Sequence, residues 1–197
     1  MSRYAPWIEP AVVSEWIEVM RSYKQSTAVV TQDEYLASLK WLDPGHDTTL
    51  VRKLGESLRE GGHRIYCVWT GNIIRKNFDV DHCMPYAAWP CNDLWNLLPS
   101  LPRVNRSKGN CLPAPEALEH AKPRILDWWS SAYLGKPDLA RRFEDEARSA
   151  LPVVASVKGT KFPDNLENFF QGVMFQQMVL KRDQQLTEWH TPNLISG

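Results

Sequence analysis

The sequence has no net charge: 23 Lys and Arg offset 23 Asp and Glu over 197 residues. That excludes a uniformly basic coat, which holds nucleic acid through bulk positive charge, but leaves room for a local basic patch. There is also no apolar run near the roughly eighteen residues that a membrane helix needs. Arg3, Glu9, Glu15 and Glu18 interrupt the N-terminal stretch, so no secretory apolar core fits between them. The expected location is cytoplasmic, away from any membrane. Cysteine is scarce, and Cys67, Cys83, Cys91 and Cys111 form no C-x-x-C pair. That argues against a zinc ribbon and against a disulfide scaffold, and for four reduced thiols acting as small buried hydrophobes. Internal repeats and low-complexity tracts are lacking as well. What is present is a composition of 43% hydrophobic and 11% aromatic residues, with nine tryptophans. Such a chain can bury a real core, so disorder over its whole length is excluded.

Three segments separate by pattern. Residues 1–60 read as helical. Val12, Val13, Trp16, Ile17 and Met20 share one helix face, Thr31 with Glu34 reads as a capping box, and Leu50, Val51, Leu54 and Leu58 form a third apolar face ended by Gly61-Gly62. Residues 61–113 change character. The run 65–69 is β-rich, 78–82 alternates apolar and polar, Pro85, Pro90 and Asn92-Asp93 mark a long loop, and 94–98 is a further short strand. Ser100 followed by Pro102 reads as a capping hydroxyl and a first-turn proline. Residues 114–197 return to helical spacing at Leu118, Ala121, Ile125, Trp128, Trp129 and Ala132, over 138–151, and from the Asp164–Glu167 cap pair through Met174. Pro152 to Gly159 reads as a connector. The expected fold is mostly helical α+β, a small central core flanked by N-terminal and C-terminal helices.

The informative residues lie in the middle segment. Asp81 and His82 end the run Phe78-Asp79-Val80-Asp81-His82; Asn96 follows in Leu94-Trp95-Asn96-Leu97-Leu98; Asn105 follows in Val104-Asn105-Arg106-Ser107-Lys108-Gly109. Each alone is weak. Together, in strand–loop–strand–helix order, they suit phosphodiester hydrolysis, which needs a base for water, a Lewis acid on the phosphate, and contacts that position the backbone. Imidazole titrates near working pH, so His82 suits the base. Asp81 and Asn105 offer a carboxylate and an amide oxygen, hard donors suited to Mg²⁺ or Mn²⁺. Arg103, Arg106 and Lys108, with helix N-terminal amides, are candidate phosphate contacts. Asp79 shares a strand face with Asp81, as a tuning carboxylate or a surface one. His46, His63, His120 and His190 have no ligand spacing and read as surface or packing residues.

This pattern resembles the HNH nuclease family with its ββα-metal fold, in the variant whose last histidine is asparagine. It is similar to the HNH domain of RNA-guided CRISPR effector nucleases, which share the D-V-D-H start and similar spacings. The resemblance covers about a quarter of the chain, around residues 65–113. It implies an endonuclease core at 61–113, a catalytic set of His82 and Asn96 (the latter holding the loop that carries His82), one ion on Asp81 and Asn105, and DNA rather than RNA as substrate. Cys67 falls where some members keep a zinc-binding cysteine pair; its partner is missing here, so no structural zinc is expected. By analogy the role is restriction or anti-phage defence, with a homodimer or partner protein in attendance. The other reading is a non-catalytic nucleic-acid-binding or interaction module that keeps the scaffold.

The zero net charge divides unevenly. Residues 1–60 carry −2, residues 61–113 carry +3 and residues 114–197 carry −1. The cationic excess coincides with the nuclease-like pattern, and implies weak binding to DNA that depends on salt, metal or a partner.

Overall fold

The computed structural model of the chain describes residues 45–151 and 166–191, together with the helical positions Val12, Ser14, Glu15 and Val19. By contacts the chain divides into two units, residues 1–43 and 44–197. Of the first apolar face, Val12 is helical and exposed, and Val13, Trp16, Ile17 and Met20 lie outside the described residues, as do the Thr31–Glu34 box, the 152–159 connector and Asp164. The second unit is a mostly helical α+β fold. Among the described residues, no helix is long and apolar enough to cross a membrane.

The second unit begins with α1 (Thr49–Glu60), whose apolar face buries Val51 and Leu54. The helix ends at Gly61-Gly62, where Gly62 takes a positive φ of 86°. Such a conformation costs glycine least. Within this unit α1 packs on the start of the central hairpin. Arg52 donates Nη1 to the carbonyl of Phe78 at 2.6 Å. Gly55 faces the Phe78 ring so closely that a Cβ there would lie 2.5 Å from its Cζ.

That hairpin is antiparallel. β1 (Asp79–His82) pairs with β2 (Leu97–Ser100), in a register setting Asp81 opposite Leu98 and His82 opposite Leu97. The apolar–polar alternation placed β1 well. The expected strand at 65–69 reduces to one bridge between Tyr66 and Ile73. The expected strand at 94–98 is split: residues Leu94–Asn96 form a 3₁₀ turn and β2 starts only at Leu97. Next comes α2 (Pro102–Lys108), with Pro102 in its first turn. Ser100 is not its cap. Leu101 holds the cap position, while the buried Ser100 hydroxyl donates to the Leu101 carbonyl at 3.3 Å. Gly109, at φ 52°, ends the helix.

The remaining elements buttress this unit. Short β3 (Leu112–Pro113) leads into α3 (Pro115–Trp129), a single π turn at Ser130–Leu134, and α4 (Pro137–Ala150). Further along the chain come α5 (Leu166–Gln184) and β4 (Glu188–Trp189), which pairs in parallel with β3. Polar side chains from these elements reach the hairpin and its approaches. Arg124 donates to the Val68 carbonyl at 2.6 Å, Trp128 to Leu97 O at 3.1 Å, and Tyr133 to Leu94 O at 3.3 Å. Glu146 accepts from the Leu94 amide at 2.7 Å. Each of these backbone groups thereby gains a partner, which a buried polar group requires.

The Gly55–Phe78 approach gives a first prediction. Gly55→Ala gains about 1 kcal/mol of helix propensity, but overpacking against a buried ring costs about 1–3 kcal/mol. Thermal melts should therefore show a lower Tm for Gly55→Ala and a still lower one for Gly55→Val. A raised Tm for the alanine variant would mean that the Phe78 ring yields without cost.

Candidate active site

His82 is the last residue of β1 and only 5% exposed. Its Nε2 lies 3.0 Å from Asn92 Oδ1, and Asn92 Nδ2 donates to the Gly45 carbonyl at 2.6 Å. With the amide nitrogen turned to Gly45, the amide oxygen faces His82. Nε2 therefore carries the hydrogen, and in the neutral ring Nδ1 is the basic atom. Burial pushes the His82 pKa down to about 4, against the Asn92 hydrogen bond and with help from the positive charges of His46 and Lys108. Near neutral pH the imidazole is thus uncharged and able to accept a proton.

The loop after β1 is stapled by Asn96, which is fully enclosed. Its Oδ1 accepts from the Met84 amide at 2.7 Å; its Nδ2 donates to Met84 O at 3.3 Å and Cys91 O at 3.0 Å. A second tie runs from the Cys83 amide to the Asn96 carbonyl at 2.7 Å. One asparagine thereby closes both ends of the loop that follows His82. Next to His82, burial pushes the Cys83 thiol up to about 12, so it stays protonated.

Asp81 is 3% exposed and both of its oxygens are engaged. Trp69 Nε1 donates to Oδ2 at 2.6 Å, and Lys108 Nζ to Oδ1 at 3.0 Å. Lys108 also donates to the His82 carbonyl at 2.6 Å, with its ammonium 5.7 Å from the Trp69 ring centroid. The sequence offers Lys108, with Arg103 and Arg106, as a candidate phosphate contact. Those two arginines are exposed, but Lys108 is 1% exposed. It lies three residues after Asn105 and close to the same helix face, so it turns inward toward the one buried carboxylate within reach. Burial raises the Asp81 pKa, and Lys108 and Trp69 hold it down against that.

Asn105 is the fourth residue of α2, half-buried, and its Nδ2 donates to Asp79 Oδ2 at 3.1 Å. Among the described residues its Oδ1 has no hydrogen bond. The helix thus presents the Asn105 side chain to the site rather than its own N-terminal amides. A pocket of about 240 Å³ is lined by Asp81, His82, Asn105, Tyr86 and also by His46. Sequence spacing brought the first three together and missed two more. Asn92 read only as a loop marker, and His46, distant in the chain, carried no local signal.

Asp81 and Asn105, which carry hard oxygen donors, line the same pocket, while both Asp81 oxygens are engaged by Trp69 and Lys108. Among the described residues no cluster of three or more His, Cys, Asp or Glu suits a metal, so any ion would rest on few protein ligands.

The Asp81–Lys108 pair predicts a pH-dependent cost. Lys108→Met leaves a buried carboxylate uncompensated, a loss of about 3–5 kcal/mol at neutral pH. The folded state holds the Asp81 proton more tightly than the unfolded state does, so the stability that Asp81 contributes falls as pH rises through its folded pKa. Removing the ammonium raises that pKa further. Denaturant unfolding should show a penalty that is larger at pH 8 than at pH 5; a pH-independent penalty would mean that Asp81 is not the group left unpaired.

Comparison with protein families matches residues 67–114 to the HNH endonuclease family. Comparisons with curated proteins and with solved structures returned no match. The matched stretch holds the hairpin, the Asn96 staple and the helix bearing Asn105 and Lys108, and so residues 67–114 are similar to an HNH endonuclease domain.

Proposed function

We propose that the protein is a metal-dependent endonuclease that hydrolyses phosphodiester bonds in DNA. The observation that carries this reading is the pairing of His82 with Asn92 beside Asp81 and Asn105 in one pocket. The pairing leaves Nδ1 of a neutral imidazole to take a proton from water. Asp81 and Asn105 would hold one Mg²⁺ or Mn²⁺, which when bound supplies Lewis-acid stabilisation of charge on the phosphate. Asn96 acts through His82, by fixing the loop behind it. Arg103 and Arg106, exposed on α2, would contact the DNA backbone. Asp81 shares its carboxylate with Lys108, which favours weak metal binding in the absence of substrate. One such site cuts one strand, so a double-strand break needs a homodimer, a partner protein or a second encounter. Restriction or anti-phage defence is the biological role that suits a small nuclease of this kind.

A second reading, a non-catalytic nucleic-acid-binding module, is favoured by one observation: both Asp81 oxygens are occupied by protein donors. Supercoiled-plasmid nicking with Mg²⁺ or Mn²⁺, with and without EDTA, separates the two. DNA binding without nicking under either ion would support the second reading.

Two variants test the assignments independently. His82→Ala should lower the cleavage rate by a factor on the order of 10²–10⁴ while DNA binding persists; retained activity would remove His82 as the base. Asn105→Ala should weaken cleavage at low metal and recover part of it at high metal. A metal titration matching wild type would show that Asn105 is no ligand.

A further inference from the structure

His46 lies before α1, outside the stretch that matches the HNH family. Its ring centroid is nevertheless 4.8 Å from that of His82 and 5.0 Å from that of Tyr86, and the His82–Tyr86 distance is 5.1 Å. The three rings touch one another at one side of the pocket. His82 is buried, whereas His46 is exposed and stands at the mouth. The backbone on both sides of His46 is braced. On one side the Gly45 carbonyl accepts from Asn92, the same amide that faces His82 Nε2. On the other, Asp47 Oδ1 accepts from the Thr49 amide at 2.9 Å, tying the segment to the first turn of α1. Two ties on either side of an exposed imidazole, one of them shared with His82, hold its position relative to the catalytic ring.

Several of the pocket's donors are already engaged within the protein. A phosphodiester brings non-bridging oxygens that need donors. The Lys108 ammonium is committed to Asp81 and the His82 carbonyl, and His82 Nε2 to Asn92. Asp81 offers no donor to an anion, and Asn105 gives one of its two amide N–H groups to Asp79. His46 is the imidazole left at the mouth with a ring N–H to give.

We propose that His46 is a substrate-contacting residue, donating a ring N–H to the phosphate group of the nucleic-acid strand that lies over His82. The active site then extends beyond the HNH core into residues 45–47. This inference rests on the nuclease reading above.

The test compares wild type, His46→Phe and His46→Gln in metal-dependent cleavage of supercoiled plasmid, with a thermal melt of each. Phenylalanine keeps a ring against Tyr86 but has no donor; glutamine keeps a donor but loses the ring. A lost hydrogen bond to a charged oxygen should lower kcat/KM of His46→Phe about ten- to a hundredfold, with its Tm near wild type, and His46→Gln should recover part of that loss. His46→Phe cleaving at the wild-type rate would overturn the inference and leave the nuclease reading intact, as would His46→Gln losing as much as His46→Phe. If wild type itself fails to cleave with Mg²⁺ or Mn²⁺, the nuclease reading falls first and this inference falls with it.

Discussion

The ammonium of Lys108 is the point through which the strand and the helix of the active site are held in register. It reaches from α2 to Asp81 Oδ1 and to the His82 carbonyl, both on β1. Asn105 sits on the same helix and Asp79 on the same strand, and their hydrogen bond adds a second tie in parallel. A buried ion pair of this kind contributes little net stability against apolar replacement, because desolvation offsets most of the attraction. Its worth lies in geometry. With one partner on each element, α2 cannot rotate or slide without separating opposite charges in a dry interior. His82, Asp81 and Asn105 therefore stay on one pocket even though they come from different elements.

Much of this arrangement follows from short-range patterning. The alternation through Val80 and Asp81, the position of Asn96 after a loop, and Asn105 behind Pro102 are all local signals, and strand, turn and helix formed in that order. Three features were not legible, each for a physical reason. Lys108 looks like any cation on a polar helix face, and only the buried carboxylate opposite decides that it turns inward. Ser100 has the side chain of a cap, but its place at the end of β2 buries it and gives the cap position to Leu101. His46 and Asn92 act across long sequence separations, through a backbone carbonyl at Gly45, and no spacing rule reaches that far.

The helices outside the HNH core are more than covering. Glu146 on α4 and Tyr133 in the π turn both bind the backbone of Leu94, at the start of the turn that carries Asn96. Trp128 on α3 binds Leu97 in β2. The loop behind His82 is thus anchored to the C-terminal helices by way of Asn96. Two short strands and a seven-residue helix are too small to bury such a loop alone.

The parallel pairing of β3 with β4 has a further consequence. Trp189 in β4 packs edge-on against Trp69 at 5.6 Å, and Trp69 is the indole that holds Asp81. Trp69 and Trp189 are separated by most of the second unit, and closing so long a loop is slow. During synthesis the HNH core emerges well before the strand that completes its packing. A nascent chain that has already exposed Asp81, His82 and Asn105 therefore still lacks the indole contact behind them. The order of synthesis separates making the pocket residues from completing the packing behind them.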